Sequence, residues 1–79
     1  MDAELWKKRV SVKADVHHGQ PCITGTRVPV AMIVGCVAEG MSRLEIIEQF
    51  PQLAEEDIVG ALQYAAEVLH SDLLMPLGG

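Results

Sequence analysis

The apolar positions of this chain change period twice. From Arg9 to Val16 they alternate: Val10, Val12 and Ala14 fall on one face, Arg9, Ser11 and Lys13 on the other. That is the two-residue period of a strand. His17 to Pro21, "HHGQP", is turn chemistry, and a second short extended piece follows at Cys22 and Ile23. Gly25 can supply a turn with positive φ. Val28 precedes a proline and is biased toward extended geometry, while Pro29 suits a helix start, where its missing N–H costs nothing.

From Val30 the period is helical. Val30, Ile33, Val34, Val37 and Ala38 form the i, i+3, i+4, i+7, i+8 stripe of a helix running from Val30 to about Glu39. Gly40 closes it as the C′ residue. Ser42, Arg43, Leu44 and Glu45 read as a capping box, so a second helix covers Arg43 to Gln49 with Leu44, Ile47 and Phe50 inward. Pro51 ends it. A third helix spans Glu55 to Leu69, its inner stripe being Ile58, Ala61, Leu62, Ala65, Ala66 and Leu69. Glu55, Glu56 and Asp57 occupy its first turn, where the macrodipole favours acids. The remainder, "HSDLLMPLGG", holds a proline and two closing glycines and reads as a tail.

The expected fold is therefore one mainly α domain over residues 1–79. A short β and turn element at 9–29 leads into a three-helix, helix-turn-helix-like bundle at 30–69, followed by the tail at 70–79. Composition adds a demand. Apolar residues make up 49% of the chain, and only three residues are aromatic. A domain this small buries only about 60% of its unfolded surface, so part of its aliphatic content is expected to face another subunit. A homodimer or higher oligomer follows.

The net charge of −5 is unevenly spread. Up to Arg27, five cations (Lys7, Lys8, Arg9, Lys13, Arg27) face three acids (Asp2, Glu4, Asp15), a net of +2. Beyond it, Arg43 faces eight acids, a net of −7. The asymmetry suggests an anionic partner for the first half; the overall acidity opposes unspecific nucleic-acid binding. "MDAELWKKR" lacks the apolar stretch of a signal peptide, and no apolar run approaches the roughly 20 residues of a membrane span. Two cysteines are too few for a disulfide framework. A reduced, cytoplasmic protein without a membrane segment is the expectation.

Four motifs in order closely resemble a small bacterial family catalogued as domain of unknown function 433 and often described as an antitoxin. They are Gly-x-Pro-x-Ile-x-Gly-Thr-Arg at Gly19–Arg27, Gly-x-Ser at Gly40–Ser42, Phe-Pro-x-Leu at Phe50–Leu53 and Asp-Ile…Ala-Leu-x-Tyr-Ala-Ala at Asp57–Ala66. The resemblance covers roughly residues 9 to 69. It implies a helix-turn-helix-like fold, a toxin partner similar to a PIN-type ribonuclease, neutralisation of that toxin by direct binding, and contact with operator DNA. It implies no catalytic residues. One departure is Ala54 where similar chains have Ser or Thr, a weaker N-cap by about 1 kcal/mol.

The candidate site residues follow. Arg27 either contacts a phosphate or acidic group, or ties its own loop, since its planar fork suits both. Lys7, Lys8, Arg9 and Lys13 are either a basic strand edge on DNA phosphates or solvated charges that discourage edge pairing. Ser42 and Arg43 start a helix, where anions are favoured. The third helix, beginning with three acids, is a poor reader of DNA. Leu73, Leu74, Met75 and Leu77 form an apolar segment that orders on a partner, the toxin by resemblance, or packs back on its own dimer. His17, His18, Cys22, Cys36 and His70 match no common metal-ligand spacing, and neither a phosphate loop nor a nucleophile motif is present. No enzyme, metal or cofactor is expected. The alternative to an antitoxin is an autonomous oligomeric DNA-binding or scaffold protein without a toxin partner.

Overall fold

A computed structural model of the chain describes residues 4–12 and 19–74, with side chains to His70. Lys13, the two histidines at 17 and 18, Met75 and Leu77 lie outside the described residues. In chain order the elements are α1 (Trp6–Arg9), β1 (Val10–Val12), β2 (Pro21–Ile23), α2 (Val30–Ala38), α3 (Arg43–Gln49) and α4 (Glu55–Leu74). The molecule is mainly helical with one short two-stranded sheet before the bundle, as expected from the period changes.

The sheet is antiparallel, pairing Val10 with Ile23, Ser11 with Cys22 and Val12 with Pro21. Its inward face is shorter than alternation predicts. Val10 packs on the core, whereas Val12 is 56% exposed, because the ribbon leaves the core where it pairs with Pro21.

The loop after β2 folds back on itself. The Ile23 N–H donates to the Val28 carbonyl at 2.9 Å, and Cys22 bridges to Pro29. Gly25 takes the expected positive φ of 81°. Val28 is buried, and Pro29, extended at φ −69°, ψ 145°, delivers the chain into α2. At the far end of α2, Gly40 (φ 89°) closes a Schellman motif. Its N–H reaches the Val37 carbonyl at 3.0 Å and the Met41 N–H reaches that of Cys36 at 3.1 Å.

The core is aliphatic. Ile23, Ile33, Ile46 and Ile58 are its largest fully buried side chains, one each from β2, α2, α3 and α4. The inward positions of α3 are Ile46 and Ile47, followed by Phe50 at its C-cap. Leu44, expected inward, is 68% exposed. With Ile46 fully buried, a residue two places earlier lies about 200° around the helix and must face out. In α2 the stripe is buried only in its first turn: Val30 and Ile33 are covered, Val37 and Ala38 are not.

Two further elements differ from expectation. α4 runs five residues past Leu69, to Leu74, so the first half of the expected tail is helix. Nothing between Leu69 and Leu74 breaks a helix, and the first proline is Pro76. At the other end, Lys7, Lys8 and Arg9 belong to a single helical turn, not to a strand edge. That turn packs against α4. The Trp6 N–H donates to Gln63 Oε1 at 3.1 Å, and the Trp6 and Tyr64 rings meet edge to face with centroids 5.7 Å apart. Gly60 makes the approach feasible. A Cβ built there would fall 2.9 Å from Arg9 Cβ and 3.6 Å from Trp6 Cα.

Candidate partner-binding surfaces

Three of the six predicted cations are paired within the described residues. The Arg9 guanidinium donates to Asp57 Oδ1 at 3.2 Å, and the Asp57 side chain is only 9% exposed. The second oxygen of Asp57 accepts the Ala54 N–H at 2.8 Å. Asp57 is the third residue of α4, so it supplies the carboxylate half of a capping box. This offsets the weak cap at Ala54. Arg43 Nη1 donates to Glu55 Oε1 at 2.9 Å. The Ser42 hydroxyl accepts the Glu45 N–H at 3.1 Å, while the Ser42 N–H donates to Glu45 Oε1 at 2.8 Å. That is the predicted capping box, with both oxygens already used. The Ser42 N–H, and after it the Ser42 hydroxyl, hold the Glu45 carboxyl below its ordinary value.

Lys7 pairs with Glu4 at 2.9 Å, a fully solvated contact worth under about 1 kcal/mol. Lys8 is exposed on the same turn. Arg27 is exposed too, and it does not tie its loop. Thr26 does so: its hydroxyl donates to the Ile23 carbonyl at 2.9 Å and accepts the Val28 N–H at 3.0 Å. The Thr of the Thr-Arg pair is thus structural, and the Arg is left facing solvent. Lys8, Arg9 and the turn Thr24–Thr26 surround a polar hollow of about 570 Å³ with Gln52, Ala54 and Asp57. Arg43 belongs to the α3–α4 junction, and Arg9 is neutralised at its own contact with Asp57.

A second opening is apolar. A hollow of about 530 Å³ separates α2 from the second half of α4. Its floor is Ala31, Val34, Gly35 and Ala38 of α2. Its far wall is Tyr64, Ala65, Val68 and Leu69 of α4, and Gln20 and Pro21 close one end. The expected inward stripe of α4 therefore splits. Ile58 and Ala61 are fully buried, while Val68 and Leu69 are 40% and 59% exposed. Leu73 and Leu74 follow on the same helix.

A two-stranded ribbon feeding a trihelical core defines the class of this protein: a small, mainly helical domain. Residues 10–65 match the model of the family described as protein of unknown function, DUF433, and the chain belongs to that family. No curated protein and no solved structure matches it. Among the described residues no helix is long and apolar enough to cross a membrane.

Proposed function

We propose that this chain works by protein–protein contact, as the antitoxin-like member of a type II toxin–antitoxin pair that binds and neutralises a PIN-like ribonuclease. One observation carries the reading. From Ala66 to His70 every residue of α4 is exposed, yet the helix continues to Leu74 and brings Leu73 and Leu74 into that helical run. A helix that leaves Val68 and Leu69 in water suits the mode in which an amphipathic helix lies in a partner's groove. Met75 and Leu77 extend the apolar segment in sequence. Glu67 and Asp72 complement a basic nuclease surface. The test is co-purification with the product of the neighbouring gene, with ribonuclease activity measured with and without this chain. Deleting residues 71–79 is expected to abolish inhibition; full inhibition by the shortened chain would overturn the tail assignment.

A second reading, an autonomous DNA-binding or scaffold protein, draws on Lys8 and Arg27, which are exposed and make no ion pair among the described residues. Operator binding through these cations and Lys13 would weaken steeply with added salt. A flat salt response removes it.

A further inference from the structure

The surface that matters lies on α2. Its nine residues, Val30–Ala38, include no polar side chain. Only Val30 and Ile33 are buried by the rest of the chain, and Ala31, Met32, Gly35, Val37 and Ala38 stay exposed. A helix that is apolar all round belongs in an interior. Gly35 sharpens the point. A glycine inside a helix costs roughly 0.5–1 kcal/mol relative to alanine. A Cβ built at Gly35 meets nothing within 4 Å, so no described part of the chain has a steric use for the missing side chain. Something that approaches from outside has one.

Charge selects the occupant. The hollow beside α2 is lined by no Asp, Glu, Lys or Arg, in a chain with eleven acids and a net charge of −5. A basic partner would be met by carboxylates, and none lines the hollow: Glu39 follows its last α2 residue and Glu67 precedes Val68, both outside the lining, while Glu45, Glu48, Glu55 and Glu56 stand on α3 and at the start of α4. Two copies of an acidic chain repel each other except across a face where neither brings charge. Shape agrees, because a twofold contact must be self-complementary. Exposed Val68 and Leu69 of α4 line the hollow together with the small residues Ala31, Gly35 and Ala38 of α2.

We propose that a second copy of this chain covers the α2–α4 face in a twofold-symmetric homodimer, with Val68 and Leu69 of each copy seated over Gly35 of the other. The four helices then form one apolar layer. Residues 71–79, whose deletion tests the toxin reading, are no part of this proposal, so the failure of one is distinguishable from the failure of the other.

The test is the mass of the full chain by analytical ultracentrifugation over a dilution series. The wild-type chain is expected to be a dimer that dissociates reversibly. Gly35→Leu and Ala38→Glu, both at exposed positions, are each expected to raise the dissociation constant by roughly a hundredfold. Their helical circular dichroism and Trp6 emission should match those of the diluted wild type. A wild-type chain that is monomeric at every concentration overturns the proposal. So does a Gly35→Leu chain that dimerises with undiminished affinity. A third overturning result is a monomeric wild type whose ribonuclease binding is lost in Gly35→Leu, since the face would then belong to that partner.

Discussion

α4 has two sides that meet the rest of the chain differently, and each is marked by a helical glycine. At Gly60 the space of the missing Cβ is filled by Arg9 and Trp6 of α1. Across from Gly35, on α2, the equivalent space is empty. The first glycine is explained within one chain: the turn Trp6–Arg9 lies against the α4 backbone, and only a residue without a side chain lets it come so close. At the second, no described part of the chain comes close, and it is there that the proposed second copy would sit. The same residue type, in the same helical conformation, thus reports a closed face in one place and an open one in the other.

Substitutions can break or sharpen that contrast. Gly60→Leu should have the largest effect, because a bulky side chain must expel α1 from its seat. We expect a loss of about 3 kcal/mol, read by urea denaturation together with a red shift of Trp6 emission. Unchanged stability would mean that α1 does not rest on α4. Asp57→Ala should come next, at about 2 kcal/mol, since it strips both the Ala54 N–H and the Arg9 guanidinium of their acceptor. Asp57→Asn, which can still accept from Ala54, should lose about half as much in the same assay.

The alanine variants should then differ in sign. Gly35→Ala is expected to stabilise the dilute chain by up to about 1 kcal/mol through helix propensity alone, measured by thermal unfolding. Gly60→Ala should destabilise it, because Arg9 Cβ cannot yield as a flexible chain end would. Equal shifts at the two positions would erase the distinction between the faces.

The smallest effect concerns the capping box at the turn between α2 and α3. Folding lowers the affinity of Glu45 for its proton. Its contribution is therefore complete above the carboxyl's unfolded value and fades as the pH falls through the lower, folded one. Glu45→Gln should flatten the acid limb of a stability–pH profile slightly. An unchanged profile would show that the Ser42 contacts are not held in solution.

The helices were legible because caps and periods agree. Ser42 with Glu45, Gly40, and Pro29 before Val30 each mark a boundary by local chemistry. The long-range pairings were not legible. Arg9 and Asp57 are 48 positions apart, and no local rule links them. Asp57 was visible as a first-turn acid, and its place three residues after Ala54 carried the signal of half a capping box. The α1 turn was missed because a four-residue helix has no period to detect. Gly60, inside an otherwise regular helical run, was the clue that another backbone approaches there. Leu44 misled because an apolar residue at the start of a short helix fits either of two registers. Of the candidate site, the cations were found by type, yet their partners could be read only once the fold brought α1, α3 and α4 together.

The docking of α1 on α4 also orders events in time. The acceptor for the Trp6 N–H is Gln63, 57 positions later. During synthesis, then, the tryptophan waits, its indole uncovered, until α4 has followed it out of the ribosome. The bundle can assemble from neighbours in sequence, whereas the first helical turn can only latch at the end, which makes it the clasp of this fold and the earliest part to let go.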